Sequence, residues 1–216
     1  MEDSPSEDAA AEVAIVFLGD SLSAGFGLVR EEAFPFLVEQ QLRDAGWPVR
    51  VVNAGVSGDT SAGGRSRIAW VLRQQPDIVV VELGGNDGLR GLDLESTEGN
   101  LRQIILEAQE AGCLVLLTGM QIPTNYGPDY TRQFRELYPV LAAELEVDLM
   151  PFLLEGVAAD PELNLPDGIH PNPEGHRIVA DNLLPYLEPL VGRVLDQRRA
   201  DGEGGEGESQ RKREAA

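Results

Sequence analysis

Five short apolar runs, separated by longer segments of helical pattern, restrict the fold more than any other feature of this 216-residue chain. They are the stretch from Val13 to Leu18, broken at Gly19; VRVVN at 49–53; DIVVVEL, ending near Leu83; LVLLTG; and VDLMPF. Each is short, apolar and closed by a breaker, so each reads as a buried strand. Helical spacing fills the gaps. EEAFPFLVEQQLRDAG puts Phe34, Leu37, Val38 and Leu42 on one face, and Gly46 ends it. Further helices are expected at about 60–74, with Thr60 or Ser61 as cap, at 96–111 ended by Gly112, at 129–145, and from Pro173 to Val194. Alternating strand and helix predicts an α/β fold, a three-layer αβα sandwich around a five-stranded parallel sheet. Right-handed crossovers leave few strand orders, and the flavodoxin-like order 2-1-3-4-5 is the one expected.

The length suits one domain, placed at residues 13–194. Residues 1–12 are an acidic lead-in expected to be flexible. Residues 195–216 are rich in Gly and charge and are expected to be a disordered tail. No apolar run approaches the roughly 20 residues of a membrane helix, so no stable membrane insertion is expected. The N-terminal MEDSPSEDAAAE lacks the basic and apolar regions of a signal peptide. A cytoplasmic location is expected as the sequence stands, and a periplasmic or secreted one if an export signal was trimmed.

The net charge of -20, from 37 acidic against 17 basic residues, disfavours nucleic acid and anionic membrane surfaces as partners. Only Lys212 is a lysine. A diffuse acidic surface almost without lysine suggests salt adaptation. The single cysteine, Cys113, precludes an internal disulfide and reads as a small buried hydrophobe.

The first strand runs into GDSLSAGFG, where small residues let the chain turn sharply. This places Ser21 at the carboxyl end of a strand, where open α/β sheets bind ligands. A serine nucleophile needs a base in reach. His170 lies in LPDGIHPNPEGH, in an irregular segment, 151–173, that holds five prolines. Asp167, three residues earlier, reaches one imidazole nitrogen if the chain turns at Gly168, leaving the other for Ser21. The competing reading is that Asp167 and His170 only cap the last helix. His176, inside that helix, reads as a surface or structural residue.

Charge on a reacting carbonyl oxygen needs prearranged donors. The N–H of Ser21, the N–H of Gly58 in NAGVSGDT and the side-chain amide of Asn86 in GGND are candidates, at the ends of three successive strands. Asp20, Leu22, Leu89, Met120, Ile122, Pro123, Tyr126 and Ile169 flank these positions and are candidates to line a substrate slot.

GDSL with Ser21, Gly58 in NAGVSGDT, Asn86 in GGND, and Asp167 with His170 in DGIH resemble the four blocks of the SGNH hydrolases, also called GDSL esterases. The resemblance covers about residues 13–190. GDSLSAGFGL, NAGVSGDTSAGG, ELGGNDGLRG and GMQIPTNYGPDY look most like the bacterial arylesterase and type I acyl-CoA thioesterase/lysophospholipase group. The resemblance implies hydrolysis of small-molecule esters or thioesters without metal or cofactor. It assigns Ser21 as nucleophile, His170 as base, Asp167 as its orienter, and Ser21, Gly58 and Asn86 as oxyanion donors. Many members of the family are exported, and this chain departs from them in showing no export signal.

Other readings stay open at this stage. GDSLSAGFG could cradle a phosphate in a non-catalytic flavodoxin-like module, although a Walker lysine is missing and DGIH is left unexplained. Asp167, His170 and His176 could hold a metal, although their spacing does not match usual ligand sets. Within the hydrolase reading, deacetylation of sugar esters is the runner-up.

Overall fold

The computed structural model describes residues 12–214. Residues 1–11 of the acidic lead-in lie outside that range. Five strands, β1 (Val13–Gly19), β2 (Val49–Asn53), β3 (Ile78–Glu82), β4 (Leu114–Thr118) and β5 (Asp148–Met150), form one sheet. They pair in parallel in the order β2-β1-β3-β4-β5, as expected from the alternation of elements.

Every residue of β1 and β3 is buried. These central strands are covered on both faces, which is why they read as unbroken apolar runs rather than alternating ones. Helices α2 (Phe34–Asp44) and α7 (Pro173–Glu214) pack together, as do α3 (Ser61–Leu72), α5 (Leu94–Glu110) and α6 (Pro128–Leu145). Between these layers Phe17, Phe34, Phe134 and Tyr138 are wholly buried with the aliphatic residues of the strands. Two short helices, α1 (Ser21–Ala24) and α4 (Gly85–Leu89), sit directly after β1 and β3.

The last helix differs from expectation. It continues past Val194 as far as Glu214. Packing accounts for its continuation just beyond Val194. Leu195 lies against the core, and the Arg198 guanidinium straddles Asp77, 2.8 Å from Oδ1 and 2.9 Å from Oδ2. This ion pair ties the helix end to the loop before β3.

Candidate active site

The strand ends bring the site together. β1 stops at Gly19, and Asp20 caps α1 by accepting the N–H of Leu22 at 2.9 Å. Ser21 is therefore the first residue of a helical turn, 8% exposed, with its hydroxyl at the floor of a cleft.

The segment before α7 is irregular but tightly tied. Leu165 N–H donates to the His170 carbonyl at 2.7 Å. Gly168 takes a φ of +69°, which favours glycine, and lets the chain fold Asp167 back onto His170. Asp167 Oδ1 accepts the N–H groups of Ile169 (2.9 Å) and His170 (3.0 Å), while Oδ2 lies 2.7 Å from His170 Nδ1. These backbone donors, chiefly that of His170, hold the Asp167 carboxyl down to about 2. His170 Nε2 stands 2.9 Å from Ser21 Oγ. The Phe26 ring covers the imidazole, with centroids 4.5 Å apart. The cap of α7 is Asn172, whose Oδ1 accepts from Glu174 and Gly175 N–H groups. Asp167 and His170 are therefore free of the capping role that the sequence left open.

The three expected donors sit around the same hydroxyl. Gly58 has a φ of +81° in the loop after β2, and its carbonyl accepts from the Arg90 guanidinium at 2.9 Å. Among the described residues, no acceptor takes the N–H of Gly58 or of Ser21. Asn86, on α4, donates from Nδ2 to Asp20 Oδ2 at 2.9 Å. A side-chain amide has two such hydrogens, so one remains for a ligand.

A cavity of about 620 Å³ opens beside Ser21. Of the candidate lining residues, Asp20, Leu22, Leu89, Met120, Ile122, Pro123 and Ile169 border it. Tyr126 does not. Its hydroxyl donates to the Leu89 carbonyl at 3.1 Å and its ring turns toward Tyr130, because that pairing satisfies both ends of an exposed side chain. Sequence reasoning missed Phe152, Leu154, Ala158 and Ala159, which close the far wall. Phe152 ends the fifth apolar run and the other three lie in the proline-rich segment read as irregular, where the apolar FLLEGVAA was the available signal.

His176 plays no part in this cluster. It is 1% exposed, its Nδ1 accepts the Phe34 N–H at 3.1 Å, and its ring stacks on Phe34. Burial, helped by the charge of His170, lowers it to about 4. Among the described residues, no three His, Cys, Asp or Glu side chains gather as a cation site. A smaller cavity, about 460 Å³, lies at the amino-terminal ends of β3 and β4, beside Asp77 and Cys113. There the Cys113 thiol donates to the Pro76 carbonyl, and burial pushes it up to about 11.

Residues 17–178, which hold all of these side chains except the farthest turns of α7, match the GDSL-like Lipase/Acylhydrolase family. The chain belongs to that family. It is 42% identical over 187 residues to Esterase TesA of Pseudomonas aeruginosa, covering 86% of this chain and 92% of the relative. It is 44% identical over 184 residues to Thioesterase 1/protease 1/lysophospholipase L1 of Escherichia coli (strain K12), covering 85% and 87%. A crystal structure of the psychrotrophic esterase EstA from a Pseudoalteromonas species, inhibited by monoethylphosphonate, superposes with a TM-score of 0.80 at 31% identity, over 84% of this chain and 100% of that one. As a GDSL hydrolase the chain is a carboxylic ester hydrolase. Among its described residues, no helix is long and apolar enough to cross a membrane.

Proposed function

We propose that this GDSL hydrolase cleaves carboxylic esters and acyl thioesters through an acyl-enzyme on Ser21. The observation that carries the reading is the continuous chain of contacts from Ser21 Oγ through His170 to Asp167, set beside two unused N–H groups and a largely apolar cavity. His170 takes the Ser21 proton as Oγ attacks the acyl carbon. Asp167 stays ionised, holds the ring so that Nε2 faces Ser21, and stabilises the imidazolium. The oxyanion is received by the N–H groups of Ser21 and Gly58 and by the second N–H of Asn86. His170 then protonates the leaving alcohol or thiol, and water repeats the sequence on the acyl-enzyme.

The apolar walls of the cavity favour an acyl or aryl group, and the names of the two curated relatives, an esterase and a thioesterase/lysophospholipase, point to the same classes. The acidic surface, at a net charge of -20, repels nucleic acid, so we take the partner to be the small-molecule substrate alone. Hydrolysis of p-nitrophenyl acetate, butyrate, octanoate and palmitate, of acyl-CoA, and of an acetylated sugar, each with Ser21→Ala in parallel, tests the reading. Ester and thioester turnover that vanishes in Ser21→Ala is expected. Equal turnover in the two proteins, or turnover of the acetylated sugar alone, overturns it.

A further inference from the structure

One buried group near Ser21 is not used by this chemistry. Glu82 ends β3, is fully inaccessible, and faces Gly19 across the β1–β3 ladder. A carboxylate without water survives as a charge only where a cation, a metal or donors on both oxygens compensate it. Among the described residues, the hydrogen-bond partners of Glu82 include no cation. Its Oε2 accepts the N–H of Asp20 (3.1 Å), the N–H of Ser23 (3.1 Å) and the hydroxyl of Ser23 (2.7 Å). Oε1 receives no donor at all. The remaining neighbour is another carboxyl, Asp20, only 2% exposed, whose N–H is held by Glu82 Oε2 and whose charge bears on Glu82. Two buried carboxyl groups this close escape facing charges when one of them carries the proton, which can then bridge them.

The place is built for this group. A Cβ on Gly19 would overlap Glu82 Oε2 and Ser23 Oγ, so the strand omits a side chain where the carboxyl lies. The distribution of donors says which partner is neutral. Asp20 accepts on both oxygens, from Leu22 N–H on Oδ1 and from Asn86 on Oδ2. Glu82 has every donor on one oxygen and a bare second one. Burial, reinforced by the charge of Asp20, pushes Glu82 well above the usual carboxyl range. Burial raises Asp20 as well, but against the donors of Leu22, Glu82 and Asn86 and the charge of His170. The other titratable group facing the pair is Tyr138 of α6, whose hydroxyl donates to the Leu83 carbonyl.

We propose that Glu82 is a neutral carboxylic acid whose Oε1–H donates to the Asp20 carboxylate, and that this pair positions the Asn86 amide with one N–H on Asp20 and the other toward the acyl oxygen. The positioning half rests on the reading of Asn86 as an oxyanion donor. An oxyanion donor is effective when it is fixed before the charge develops. The proton on Glu82 holds Asp20 in place, and it also removes one of two negative charges from beneath the forming oxyanion.

The test uses the full chain with Glu82→Gln, Glu82→Leu, Asn86→Ala and the Glu82→Leu/Asn86→Ala double variant, on p-nitrophenyl butyrate. An infrared difference spectrum of wild type against Glu82→Gln at neutral pH should show a carboxylic-acid carbonyl band lost in the variant. Glutamine can donate an N–H to Asp20 while its oxygen still accepts from Ser23, so kcat should stay within about threefold of wild type. Leucine cannot donate, and kcat should fall about 10- to 100-fold at unchanged KM, part of the cost of losing one oxyanion donor. That loss should disappear when Asn86 is already alanine, because the two act through one group. No acid band, an equal loss in Glu82→Gln and Glu82→Leu, or an undiminished loss in the double variant each overturn the proposal. If melting shows that Glu82→Leu does not fold, the band and the kcat of Glu82→Gln decide it. Full kcat in Asn86→Ala overturns the oxyanion reading and the positioning role with it, whereas the infrared band reports the proton on Glu82 independently.

Discussion

Nε2 of His170 stands 2.9 Å from Oγ of Ser21, across 149 residues of chain. The base reaches the nucleophile already oriented, because Asp167 grips both its ring and its backbone N–H. A geometry formed before substrate arrives makes the roles separable by mutation.

Ser21→Ala and His170→Ala should each lower kcat by at least about three orders of magnitude, as loss of a triad member does. The measurement is p-nitrophenyl butyrate hydrolysis, with thermal melting to show that both variants fold. Asp167→Asn should also lower kcat, because an amide at Oδ2 disfavours the ring tautomer that the mechanism needs.

Asn86→Ala should cost roughly 10²–10³-fold in kcat, the range for one oxyanion donor. KM should change little, since the lost bond forms in the transition state. An unchanged kcat would show that the amide serves only Asp20.

The cavity walls should set chain length. Phe152→Ala widens the far wall and should move the best substrate toward longer acyl groups, while Ala158→Trp should depress octanoate and palmitate turnover and spare acetate. A p-nitrophenyl ester series on the two variants reads this directly. An unaltered chain-length profile in both would place the acyl group elsewhere.

Stability should fall as the pH drops from about 6.5 toward 4, through His176. Burial lowers this imidazole from its ordinary 6.5 to about 4 in the fold. In that window the unfolded chain binds the proton and the folded chain does not, so acid favours unfolding. The shift corresponds to roughly 3 kcal/mol when the window has been crossed. Urea unfolding at pH 7 and pH 4.5 should show a smaller acid loss in His176→Gln than in wild type, with the carboxyl contribution common to both.

With a net charge of -20, the folded chain repels itself, and screening relieves that repulsion. Melting in low and in molar salt should therefore show a higher Tm at high salt. No rise would remove the suggestion of salt adaptation.

Much of this was legible in the residues because it is local. An unbroken apolar run such as Val13–Gly19 states that a strand is covered on both faces, and a helical pattern between runs forces parallel pairing. DGIH announces its own turn, since Asp167 and His170 meet three residues apart with Gly168 at a positive φ between them. Tyr126 misled because an aromatic side chain in a loop near the site could point either way. Its hydroxyl found the Leu89 carbonyl, a partner 37 residues away. The helical pattern of α7 fades near Val194, and the turn beyond it is held where Arg198 meets Asp77, 121 residues distant.

The sequence by itself determined the strand order, the candidate nucleophile, base and orienter, and the loops that offer N–H donors. Those follow from periodicity, breakers and short-range turns, and from motifs that resemble a known family. Only the tertiary structure decided that Glu82 is buried against Asp20, that Phe152, Leu154, Ala158 and Ala159 close the cavity, and that His176 serves Phe34 instead of the site. Each of these depends on which distant segment a side chain meets, and therefore on desolvation and on the donors it finds there. A residue's local pattern records that it will be buried, but not against what.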